Sequence, residues 1–332
     1  MRKLVIFCIV LGCIYSGYWF AAATGLETGA KTWLADRRSE NWVADADVNV
    51  TGFPFTFETT MTGVQLADPD TGLAWTAPVF EVQAQSYSPS YITAIFADQQ
   101  MLASPDEKLT LTSDDMVASV GFVPNTSLAL DTSSLAIANL RVTSSKGWTS
   151  RFDTGQFMTT QSDAVPFGHH VDADLQGLVM DRALRRQLDP AGFLPEQIET
   201  MQLDMTVGFD AAWNRFAIEQ ARPQPTSIDL DLIRANWGEL ELLATGQLTI
   251  DTQGIPQGRI DVKARNWRDI LGIAVQAGFV PDDIAPTVEN ALELLAGLSG
   301  NPNTLDVPLS FQNGNILFGP VPIGPAPRIR IR

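Results

Sequence analysis

Histidine and cysteine are nearly absent: the 332 residues hold two of each. Both cysteines, Cys8 and Cys13, lie in one apolar run near the amino terminus. Everything after that run is therefore without a disulfide and without thiol chemistry. Cys13 follows Val10-Leu11-Gly12, an order similar to a lipoprotein processing box. The apolar run continues past it, so we read a membrane cysteine. His169 and His170 are adjacent, and neighbours on a strand point to opposite faces. That makes a poor start for a metal site, and a surface turn after Pro166-Phe167-Gly168 is the expectation. Positive charge is also scarce. Lys plus Arg number 22 against 38 Asp plus Glu, a net charge of −16. Phosphate backbones demand the opposite sign, so nucleic acid is excluded as a partner, and broad adhesion to anionic lipid is disfavoured.

Reaction motifs are missing as well. There is no G-x-S-x-G elbow, no H-E-x-x-H and no P-loop. Four aspartate pairs remain: Asp45 with Asp47, Asp68 with Asp70, Asp114 with Asp115, and Asp282 with Asp283. Two carboxylates serve glycoside hydrolysis or calcium binding. Yet Asp68-Pro69-Asp70-Thr71-Gly72 is what a tight turn wants, and Asp282 and Asp283 suit a helix start. The structural reading is preferred for each pair. No catalytic residue, cofactor or metal site is assigned, and the protein is expected not to be an enzyme.

What is present is a run from Leu4 to Ala23 without a formal charge, entered by Arg2 and Lys3. Its length matches a bilayer core of about 30 Å. Ala21-Ala22-Ala23 offers a signal-peptidase-like cleavage site. The length of the run, and Tyr15, Tyr18 and Trp19 toward its far end, favour a retained anchor. Basic residues on the two sides nearly balance, since Lys31, Arg37 and Arg38 follow the run. A short basic head before an apolar run is the usual input to export. The body is thus expected outside the cytoplasm, tethered to the inner membrane through Leu4–Ala23, in the periplasm of a two-membrane cell.

Residues 1–24 are the expected anchor and 25–42 an amphipathic connecting helix. In the latter, Leu26, Ala30, Trp33 and Leu34 recur at helical spacing. Two placements stand open for it: on the membrane interface with Trp33 buried, or packed on the body. Residues 43–332 read as a β-rich domain, with lobes divided near 160–168 or 222–226. Period-two alternation marks Phe53-Phe55-Phe57-Thr59-Met61, Phe80-Val82-Ala84, Met116-Ala118-Val120-Phe122 and Met201 through Phe209. It returns in Leu240–Ile250, Ile260–Ala264 and Leu305–Phe311, and the last run leads through Asn313-Gly314 to Ile316 and Phe318. Asn-Gly between alternating runs signals a hairpin. Short helices are predicted over Arg182–Leu188 and Asp269–Ala277. A longer one over Pro281–Leu298 carries an apolar stripe of Ile284, Val288, Ala291, Leu292 and Leu295. The fold class is α+β: a mainly antiparallel, curved β-sheet with a few covering helices, after an N-terminal transmembrane helix.

Gly52-Phe53-Pro54-Phe55, Leu66-Ala67-Asp68-Pro69, Trp75-Thr76-Ala77-Pro78, Tyr87 to Ile95 and Leu109 to Asp115 follow the anchor in order. With it they resemble a bacterial membrane-anchored family defined as domain of unknown function 2125, over most of the chain. The resemblance implies no activity and no catalytic positions. Gly246 to Asp251, Gly254 to Gly258 and Ile260 to Trp267 are similar to segments of AsmA-type envelope proteins. That likeness implies an anchored, β-rich protein linked to outer-membrane assembly and lipid transport. The functional expectation is a non-enzymatic, membrane-anchored envelope protein that binds or guides lipids or other apolar ligands. The alternatives are a carboxylate-dependent hydrolase of envelope polysaccharide and a structural scaffold of an envelope complex. The sharpest structural question is whether helices seal the sheet's apolar face or leave it open.

Overall fold

The computed structural model describes residues 1–332 apart from 220, 221, 279, 299, 300, 319, 320 and 332. The chain divides into two compact units. Unit 1 is Met1–Phe122 with Ala136–Gly147; unit 2 is Val123–Leu135 with Trp148–Arg332. The stretches 160–168 and 222–226 both lie within unit 2.

In unit 1, the anchor and the connecting helix are one element, α1 (Arg2–Ser39), of 38 residues. At 1.5 Å per residue it is about 57 Å long. From Trp19 onward it packs on the hairpin of β1 (Val43–Thr51) and β2 (Thr56–Ala67). Trp19 and Ala23 bury against Phe57, and Leu34 against Ala44 and Val48. The spacing of these residues keeps them on one helix face. Of the two placements open for residues 25–42, the helix therefore takes the one packed on the body, with Leu34 inward and Trp33 exposed. Phe53 and Phe55 were expected to continue the strand of Phe57. They belong instead to the turn before it, because Gly52 takes φ +101° and closes the chain with bonds from Phe55 N and Thr56 N to its carbonyl.

The rest of unit 1 comprises β3 (Ala74–Gln85), β4 (Ser88–Phe96), β5 (Gln99–Ala103), β6 (Lys108–Thr112), β7 (Asp115–Phe122) and β8 (Leu130–Ser144) from Ala136 onward. Every pairing is antiparallel: β1 with β2, β2 with β3, β4 with β7, β5 with β6 and β6 with β8. Strand β3 forks. Phe80–Gln85 pairs with β4, while Ala74–Thr76 pairs with β5.

Unit 2 is an antiparallel meander. Strands β9 (Thr149–Ser162), β10 (Gly168–Val179), β11 (Gln197–Phe209), β12 (Pro225–Trp237), β13 (Leu240–Ile250), β14 (Pro256–Arg265), β15 (Thr304–Gln312), β16 (Asn315–Phe318) and β17 (Val321–Pro325) pair in that order. Short α2 (Arg182–Leu188) and α3 (Phe216–Glu219) fill two connections. Helices α4 (Trp267–Gln276) and α5 (Ala285–Leu298) interrupt the meander between β14 and β15. Val288, Leu292 and Ala296, each four residues apart, bury against Ala264, Leu305, Val307 and Phe318. Trp267 closes that core and donates its indole N–H to Pro302 O at 3.0 Å. The helices thus seal the sheet where they lie. Leu295 of the expected stripe lies outside the described side chains. Asn313 and Gly314 make the predicted hairpin turn, with φ +52° and +74°.

Candidate functional site

One stretch of unit 1 carries apolar side chains that line a cavity instead of a sealed core. Leu66 on β2 stands opposite Trp75 on β3, Trp75 opposite Leu102 on β5, and Leu102 opposite Leu109 on β6. Directly paired residues share a sheet face, so antiparallel register assembles four large apolar side chains into one row. The row floors a cavity of about 540 Å³ that is also lined by Trp42 and Leu73. Trp42 sits just beyond α1, its amide bonded to Arg37 O at 3.0 Å and its ring 5.8 Å from the Arg37 guanidinium carbon. Trp75 is fixed by buried Gln100, whose Oε1 accepts the indole N–H at 2.9 Å. Gln100 Nε2 in turn donates to Ala97 O at 3.4 Å and reaches Met116 Sδ at 3.5 Å.

Two carboxylates, Asp68 and Glu107, stand on the cavity wall. Asp68 Oδ2 accepts from the Thr71 hydroxyl at 2.8 Å, and Oδ1 from the Asp70 amide at 2.9 Å. These bonds, the Thr71 hydroxyl first, hold the Asp68 pKa below its ordinary value. Glu107 accepts from the Ser144 hydroxyl. Asp68 thus builds the turn that the sequence suggested. The other aspartate pairs have local partners or places too. Asp45 approaches Arg38 at 3.8 Å, Asp114 accepts from Asn139 at 2.6 Å, and Asp282 and Asp283 precede α5.

In unit 2 the two histidines are on β10, not on a surface turn, because the strand starts at Gly168. They do point to opposite faces. His169 is buried 6.2 Å from the Phe209 ring, with no hydrogen-bond partner for Nδ1 among the described residues. Burial lowers its pKa, and the charge of Asp131 opposes that shift. His170 is half-buried and meets carboxylates the sequence reading did not connect with it. Its Nε2 is 3.3 Å from Asp172 Oδ2 and 3.4 Å from Asp204 Oδ1, and its Nδ1 is 3.2 Å from the Thr206 hydroxyl. A bulge on β12 adds Asp231 to the group: Asp204 pairs with Leu232 and Met205 with Leu230, leaving Asp231 as the extra residue. Ligand atoms of His170, Asp204 and Asp231 lie within 4.8 Å of one another. They are donor types suited to a divalent cation. Only strand register brings these residues together, and no spacing in the sequence signals it.

Fold and cavity define a class: an antiparallel β protein with, among the described residues, one helix, α1, long and apolar enough to cross a membrane. The chain belongs to the bacterial family described as "Uncharacterized protein conserved in bacteria (DUF2125)", whose family model matches residues 19–327. No curated protein and no solved structure matches it.

Proposed function

We propose that this protein is a non-enzymatic, inner-membrane-anchored receptor or carrier for lipid or another apolar ligand, with its body in the periplasm. The observation that carries the reading is the cavity over Leu66, Trp75, Leu102 and Leu109. Its volume of about 540 Å³ falls in the ~300–1,000 Å³ range of small-ligand sites. Apolar contact alone suffices to hold an acyl chain, so the chemistry asks for no catalytic group. Asp68 and Glu107 keep the hydrolase alternative in view, but their carboxylates are engaged by Thr71, Asp70 and Ser144. We read them as supports of the cavity wall.

The test is mass spectrometry of organic extracts from the detergent-purified full chain. Native protein should yield a co-purifying amphiphile near one per chain. Leu102→Glu, which places a charge in the row without emptying a sealed core, should lose it while keeping its circular dichroism. Native protein with no bound amphiphile, or equal retention by the variant, overturns the reading.

A further inference from the structure

The uncharged run of α1 from Leu4 to Ala23 has the length of a bilayer core of about 30 Å. The body reaches into that length. Tyr15 donates to Pro54 O at 2.6 Å, Tyr18 to Ser86 O at 2.9 Å, and the Trp19 indole to Thr56 O at 2.9 Å. From Leu4 to the first of these contacts, at Tyr15, the helix rises only about 17 Å. A span of full thickness must therefore include helix residues that already carry the body on one side. The turns around residues 52–56 and 86–87 then stand at the depth of the span's far end.

Their chemistry fits that depth. Irregular backbone is tolerated near hydrocarbon only where protein satisfies its polar groups. Here Ser86 is 1% exposed, and its Oγ bonds Pro54 O at 3.0 Å and Phe55 O at 2.9 Å. The Ser86 amide also bonds Phe55 O at 2.9 Å. Tyrosines of the helix and one buried serine thus cover the carbonyls of Pro54, Phe55 and Ser86. Outward, the same turns present aromatic rings: Phe53 is 49% exposed, Phe55 68% and Tyr87 74%. Exposed rings over satisfied backbone suit the boundary between headgroups and acyl chains. With a net charge of −16, electrostatic adhesion to anionic lipid is disfavoured, so the contact is apolar.

We propose that Phe53, Phe55 and Tyr87 form an aromatic foot that inserts into the leaflet from which α1 emerges, seating the body on the bilayer. The inference rests on α1 crossing the membrane, not on the ligand reading.

The experiment uses the full chain in phosphatidylcholine–phosphatidylglycerol vesicles with nitroxide labels. One form carries the label on native Cys8 with Cys13→Ala. Three others carry it at Phe55→Cys, Tyr87→Cys or Asp70→Cys, each with Cys8→Ala and Cys13→Ala. Oxygen against a water-soluble nickel chelate reports depth. Expected are a deep Cys8, interfacial residues 55 and 87, and an aqueous residue 70, with no change between low and high salt. A deep Cys8 with aqueous 55 and 87 overturns the foot alone; an aqueous Cys8 overturns the span and the foot together. Because residues 55 and 87 are exposed, labelling should leave the thermal unfolding of the body unchanged. A label that lowers it is replaced by Phe53→Cys, read by the same criterion.

Discussion

His169 is where one residue's environment sets a measurable property. Its burial favours the neutral imidazole, so its pKa in the fold is lowered. The unfolded chain titrates near the ordinary value of ~6.5. Below that pH the unfolded state takes up a proton that the folded state refuses. The stabilising contribution is therefore complete above ~6.5 and is lost as pH falls from there through the folded pKa. His169→Phe, which keeps an aromatic ring beside Phe209, should flatten the pH dependence of stability in that window. Urea titrations at several pH values, native against variant, measure it; parallel slopes would show that the imidazole is not the source. Asp131→Asn should steepen the native slope, since the Asp131 charge raises the His169 pKa.

Elements differ in how completely they are packed, and that difference separates residues of the sealed core from those of the open row. Leu292 of α5 lies in the sealed core with Trp267 and Val307. Truncation to alanine should destabilise the protein by about 2–5 kcal/mol. Leu102 of β5 is 40% exposed in the open row. Its truncation should cost below about 1.5 kcal/mol, because solvent already reaches it. Chemical denaturation of the two variants side by side checks the contrast, and equal losses would mean the row is as sealed as the helix-covered face. Strands and helices of this kind were legible in the sequence because period two and period 3.6 are local properties. Arg182–Leu188 was placed to the residue, and Met116–Phe122 and Leu305–Phe311 fell on β7 and β15. Phe53 and Phe55 were misassigned because alternation continues through Gly52–Thr56, while a positive φ at Gly52 turns the backbone. The apolar row and the His170 cluster were not legible, since both exist only through pairing register. Register depends on which strands meet, not on any one strand's pattern.

For the whole molecule, the open question of the sequence was whether the apolar leader stays. Packing supplies an argument that hydropathy cannot. Trp19 and Ala23 are buried with Phe57. Scission after Ala23 would remove both, together with the hydrogen bonds that Tyr15, Tyr18 and Trp19 give to residues 54, 56 and 86. Phe57 would lose its cover, and the carbonyls of Thr56 and Ser86 would lose their side-chain donors. Loss of one buried aromatic alone costs about 3–5 kcal/mol. The family match, which begins at residue 19, includes Trp19. A leader that is part of the body's core should be retained. Intact-mass measurement of the chain purified from membranes should therefore find residues 1–24 present. A tobacco etch virus protease site inserted after Thr24 provides the complementary reading. Cutting it in detergent should lower the unfolding temperature of the body and increase hydrogen exchange at β1 and β2, while β13 to β15 keep their protection. Unchanged exchange at β1 and β2 after the cut, or a mature chain that starts at Thr24, would show that α1 is a passenger and not a structural member of unit 1.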